Sequence, residues 1–67
     1  MVIFINDEEK EVSSGIAVSD LFKELNFPST KGVALAINNQ IILQKNWSST
    51  RLNANDQVLI ISATKGG

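Results

Sequence analysis

The 67-residue chain contains no cysteine and no histidine. Without thiols it has neither a disulfide framework nor a thiolate nucleophile, and without imidazole it lacks the side chain most used for acid–base and metal chemistry. Glycine is scarce: four residues, at 15, 32, 66 and 67, form no phosphate-cradling pattern. Six Lys and Arg against seven Asp and Glu leave no cationic surplus, so nucleic acid is not an expected partner. No apolar run approaches the ~20 residues that cross a bilayer. The opening Met1-Val2-Ile3-Phe4-Ile5 has no basic leader and no small-residue cleavage site. The expectation is a cytoplasmic protein, monomeric alone, with no membrane partner. Ser48, Ser49 and Thr50 have no histidine to serve as their base, and the acidic stretch Asp7, Glu8, Glu9 and Glu11 reads as a solvated hairpin tip. A catalytic site built from side chains is therefore not expected, nor is a metal or cofactor bound by this chain.

What is present suits one small domain. Most independent domains need ~100 residues or more, which excludes two lobes with a cleft between them. The 43% of hydrophobic residues suffices for one helix on one sheet. Charge is uneven: residues 1–30 hold six acids and two lysines (−4), whereas residues 31–67 hold four bases and one acid (+3). Such groups are ordinarily solvated, although the asymmetry would also orient the domain on charged partners.

Val2-Ile3-Phe4-Ile5 is β-branched and aromatic and predicts a strand. Asn6-Asp7 supplies turn residues, and Lys10-Glu11-Val12-Ser13 is the expected return strand, ended by Ser14-Gly15. Val18, Leu21, Phe22 and Leu25 fall at i, i+3, i+4 and i+7, one stripe of a helix about eight or nine residues long. Ser19 is the better N-cap residue, but using it would leave Val18 outside the helix, so Val18 is placed in the first turn with Ala17 as a poor cap. Pro28 forbids continuation. Val33–Ile37 alternates large and small, Asn38-Asn39 is a turn, and Gln40–Leu43 is the partner strand. Residues 44–52 read as a connection anchored by Trp47 and Leu52, with Trp47 a packing residue rather than a stacking platform for a ligand. Residues 53–56 turn the chain into Val58–Ile61, a central strand, and Thr64–Gly67 has nothing to bury. The order predicts an α+β domain over 1–63, a mixed sheet of four to five strands with one helix on one face, followed by a flexible tail, 64–67.

The Gly66-Gly67 end carries no side chain that would clash in a narrow channel. Four extended residues would hold a carboxylate ~13 Å from the body, at ~3.3 Å per residue. A carboxylate so presented can attack an activated phosphate, and the acyl-adenylate formed can accept a sulfur or nitrogen nucleophile. An apolar strand feeding straight into the diglycine gives this weak signal its context.

Together the opening strand, the helix, Ala34-Leu35-Ala36-Ile37-Asn38-Asn39-Gln40-Ile41-Ile42, Trp47, Asn55-Asp56-Gln57-Val58 and the final Gly66-Gly67 resemble the thiamine-biosynthesis sulfur carrier family, end to end. The resemblance implies a ubiquitin-like β-grasp with first and last strands adjacent and central. It implies that an adenylyltransferase partner, using ATP and Mg²⁺, adenylates the Gly67 carboxylate. Sulfur from a donor such as a cysteine-desulfurase persulfide then replaces AMP, and thiazole synthase takes it from the thiocarboxylate. Gly67 is the reacting group and Gly66 the slim position behind it. Two residues depart from the pattern: Asn55 stands where many relatives have glycine, and Lys65 where a small or apolar residue is common. Asn tolerates positive φ, so the turn should survive. Lys65 could tune the threading of the tail into the partner.

Alternation places Ile3, Ile5, Val33, Leu35, Ile37, Val58 and Ile60 toward the helix. Phe4, Leu59, Ile61, Ala34 and Ala36 would then form an exposed apolar patch on the other face, with Phe4, Leu59 and Ile61 as the expected partner-binding residues. A parity slip in the last strand would instead bury Leu59. Three functions fit the chain: a sulfur carrier for thiamine, a related carrier for molybdopterin synthesis or a protein modifier, and a non-covalent interaction domain.

Overall fold

The computed structural model describes residues 1–62 of the 67. The predicted tail 64–67, its Lys65, Gly66 and Gly67, and the domain limit at 63 lie outside the described residues. Five strands, one α-helix and one 3₁₀ segment follow one another as β1 (Val2–Ile5), β2 (Glu8–Glu11), α1 (Val18–Glu24), β3 (Val33–Ile37), β4 (Gln40–Ile42), the 3₁₀ segment (Gln44–Ser49) and β5 (Gln57–Ser62). The sheet order is β2-β1-β5-β3-β4, with β1 and β5 parallel at the centre and the other pairs antiparallel.

The first hairpin departs from the sequence expectation. The return strand is Glu8–Glu11, not Lys10–Ser13. Asn6 and Asp7 both take positive φ, 50° and 69°, which closes a two-residue loop and fixes the register Ile5↔Glu8. Such loops match the right-handed twist of the strands they join. Glu8, Glu9 and Glu11 thus stand along an exposed edge strand rather than at a loop tip, where charge discourages pairing with another sheet edge. The second hairpin repeats the device, with Asn38 and Asn39 at φ 50° and 71°.

The helix begins at Val18 after Ala17, which offers no side-chain cap. The Val18 N–H instead donates to the Thr50 carbonyl at 2.9 Å, so tertiary structure satisfies the orphan donor. Its end is set by Asn26, not by Pro28. Asn26 sits at φ 60°; its N–H donates to the Lys23 carbonyl, and the Phe27 N–H reaches back to the Phe22 carbonyl. This is a Schellman closure, complete with its apolar contact: the Phe27 and Phe22 rings meet edge to face at 5.0 Å. The helix is accordingly shorter than its periodicity suggests, seven residues.

The core lies between the sheet and α1. Ile3, Leu35, Val58 and Ile60 meet Val18, Leu21 and Phe22 there, and Leu52 closes one side. Trp47 is buried in the 3₁₀ segment, stacked on Phe22 at 4.6 Å, with Nε1 donating to the Ile42 carbonyl. It is a packing residue, as expected, held between the helix and the end of β4.

Candidate functional site

The face of the sheet opposite α1 is the feature that the fold leaves unfilled. In β5, Val58 and Ile60 are 3% and 9% exposed while Leu59 and Ile61 are 47% and 53% exposed, so alternation holds and Leu59 is not core. Leu59 pairs with Ala36 and Ile61 with Ala34 on β3. The small partners leave both large side chains standing clear of the surface. Ala34 is exposed as expected, but Ala36 is buried. It lies between Leu59 on one side and Ile41 on the other, which pair across it and cover its methyl group. Phe4 shares the open face but is only half exposed; it pairs with Gln57 on β5 and Glu9 on β2, and so sits diagonally from Leu59.

The patch extends further than the sequence reading placed it. Ile41 on β4 and Leu43 just beyond it are 63% and 57% exposed. The signal was present: once Asn38-Asn39 fixes the hairpin, Ile41 must share a face with Ala36 and Leu43 follows at period two. Leu59, Ala36 and Ile41 line a depression of about 540 Å³ together with Asn6, Asn38 and Asn39. An apolar patch bordered by polar side chains is the usual character of a protein-docking surface.

Two asparagine side chains brace this face. The Asn38 carboxamide donates to Asp56 Oδ1 at 3.1 Å and accepts from the Gln57 N–H at 2.9 Å, fixing where β5 begins. The buried Asp56 also accepts from the Asn53 N–H at 2.8 Å, closing the last turn, in which Asn55 takes φ 70°. Asparagine thus supplies at position 55 a conformation that glycine adopts freely. Near the other end of β5, Asn6 Nδ2 donates to the Ile60 carbonyl at 3.2 Å, and the Ile60 N–H donates to Asn6 Oδ1 at 2.9 Å.

Among the described residues, no three His, Cys, Asp or Glu side chains gather where they could hold a metal ion. No described helix is long and apolar enough to cross a membrane. The assets of the site are surface shape, hydrophobicity and the strand that leads toward residues 65–67. Those three residues, which carry the predicted chemistry, lie outside the described part.

A five-stranded mixed sheet with parallel central first and last strands and one helix across it defines a ubiquitin-like β-grasp protein. The fold is that of a thiamine biosynthesis protein, ThiS, from Geobacter metallireducens. Its crystal structure matches with a TM-score of 0.86 at 19% identity, covering all of both chains. A solution structure of a Geobacter metallireducens thiamine biosynthesis protein matches with a TM-score of 0.82, again at 19% identity, over all of this chain and 88% of that one. The model of the ThiS family matches residues 2–67. The sulfur carrier protein ThiS of Escherichia coli (strain K12) is 33% identical over 67 residues, the whole of both chains. The chain belongs to the ThiS family.

Proposed function

We propose that this protein is a sulfur carrier of thiamine biosynthesis, a protein co-substrate rather than a catalyst. Family membership over residues 2–67 supports the carrier role. The observation that carries the mechanistic reading is the exposed apolar pair Leu59 and Ile61, borne on the strand that runs on toward Gly66-Gly67. In this reading Phe4, Leu59 and Ile61 dock an adenylyltransferase while Lys65 and Gly66 thread the tail into its site. The Gly67 carboxylate attacks the α-phosphate of the partner's Mg²⁺-bound ATP and expels pyrophosphate. The terminal sulfur of a donor persulfide then attacks the acyl carbon and AMP leaves. A second thiol cleaves the resulting acyl disulfide, releasing the thiocarboxylate on Gly67 and a disulfide. Thiazole synthase docks on the same face and accepts the sulfur. ATP, metal and sulfur donor all belong to partners.

Intact-mass measurement tests this directly. Incubation with ATP, a cognate adenylyltransferase and a persulfide donor should add the mass difference of one oxygen exchanged for one sulfur, and the product should support thiazole formation. Support of molybdopterin formation instead would favour the related carrier. No mass change, with full biological activity after deletion of Gly67, would sink both carrier readings and leave an interaction domain.

A further inference from the structure

We infer that Asn6 is a positioning residue for the carboxyl-terminal reaction: its carboxamide replaces the missing end of β1 and holds the exit of β5 in a fixed direction. The inference rests on the sulfur-carrier reading.

The parallel ladder between β1 and β5 advances in two-residue steps. The Phe4 N–H donates to the Asp56 carbonyl and, two residues further along both strands, the Asn6 N–H to the Val58 carbonyl, at 3.0 and 2.9 Å. The next rung of such a ladder would run from the Ile60 N–H to the Asn6 carbonyl. That rung is unavailable to the main chain because Asn6 has entered the turn at φ 50°. The side chain takes its place: Oδ1 accepts from the Ile60 N–H, and Nδ2 donates to the Ile60 carbonyl. Both main-chain groups of Ile60 on this edge are satisfied by one residue 54 positions away in sequence.

The geometric consequence concerns direction. On its other edge the end of β5 is held by β3, through Ala34↔Ile61 and Val33↔Ser62. A strand end held along one edge can swing about that edge. A clamp on the second edge removes that freedom. Residues 63–67 continue from the end of this strand, so a swing there shifts the origin from which the Gly67 carboxylate must reach a reacting group. Displacements of about 1 Å at a reacting atom can cost about a hundredfold in rate. The clamp leaves the docking face itself intact, because Leu59 and Ile61 are seated by their pairing with β3.

Asn is the residue that fits both demands. Glycine would accept the turn but has no carboxamide. Aspartate would accept the turn and keep an acceptor for the Ile60 N–H, but would set a carboxylate oxygen against the Ile60 carbonyl.

The test compares steady-state adenylation of the wild type, Asn6→Gly and Asn6→Asp by the adenylyltransferase, with Val18→Ala as a destabilised control remote from the strand exit. Asn6→Gly should lower kcat by about tenfold or more and change KM by much less, because the apolar docking side chains stay seated on β3 and β5. Asn6→Asp should fall between it and wild type, and Val18→Ala should change neither constant under folding conditions. Amide exchange provides a readout that needs no partner: Asn6→Gly should accelerate exchange at Ile60 selectively, ahead of the core amides of β3. Wild-type kcat in Asn6→Gly, an equal loss in Val18→Ala, or unaltered protection at Ile60 would overturn the inference. Wild-type protein that is never adenylated would instead overturn the carrier reading, and the inference with it.

Discussion

Asn6, Asp7, Asn26, Asn38, Asn39 and Asn55 are the described non-glycine residues at positive φ. An Asx side chain tolerates this region better than others because it is short and can hydrogen-bond locally. The six positions are not equivalent. Asn6 and Asn38 also use their carboxamides as substitutes for main-chain groups, whereas Asn26 makes no side-chain hydrogen bond among the described residues. Asn26→Gly should therefore leave stability within about 0.5 kcal/mol of wild type, or raise it slightly. Asn38→Gly should cost about 1–2 kcal/mol, since it strips a partner from the buried Asp56. Urea titrations followed by circular dichroism check both; equal effects at the two sites would show that the Asn38 carboxamide contributes only its backbone preference. At this scale the sequence was legible in part. Positive φ at Asn55 and turn formation at Asn6-Asp7 and Asn38-Asn39 were readable from residue type. The helix stop at Asn26 was not, because Pro28 is the louder signal and lies only two residues on.

At the scale of elements, the link between helix and 3₁₀ segment is one aromatic column. Phe27 meets Phe22 edge to face, and Phe22 stacks on Trp47. Trp47→Ala should cost about 3–5 kcal/mol by removing the largest side chain of that column and leaving a cavity over Phe22. Small domains have little more than that to lose, so chemical denaturation should show a protein close to half unfolded in buffer. A loss below about 1 kcal/mol would mean that the 3₁₀ segment packs independently of α1. Strand identity was readable from β-branched runs, but strand limits were not. β2 begins at Glu8 because a two-residue loop leaves no room for a later start, and nothing in Glu8-Glu9-Lys10-Glu11 advertises a strand. Its pairing is imposed by β1, a tertiary override of weak local preference.

For the whole molecule, the sheet divides labour between its faces. One face is consumed by the core. The other keeps Leu59, Ile61, Ile41 and Leu43 exposed, an apolar surface that contributes nothing to the interior. Leu59→Asp should leave the unfolding midpoint essentially unchanged while abolishing complex formation with the adenylyltransferase, measured by calorimetry or gel filtration. An unfolded variant, or one that binds normally, would show that the patch is not the docking face. If Gly67 carries the reacting carboxylate, as proposed, adding one residue after it should leave the fold intact and prevent thiocarboxylate formation, as read by intact mass. A fully charged extended protein would move the chemistry elsewhere.

The sequence by itself determined the period of β1, β3 and β5, the apolar stripe of the helix, the hairpin turns and the absence of any histidine or cysteine on which side-chain catalysis could be built. These are local properties, written in residue type and spacing. Tertiary structure decided which alanine is covered and which is bare, that Thr50 caps the helix, and that Asn6 completes a ladder with Ile60. Each of these depends on register between segments far apart in the chain. Register emerges only when the faces pack together, since a shift of one residue would exchange the buried and exposed faces of a strand.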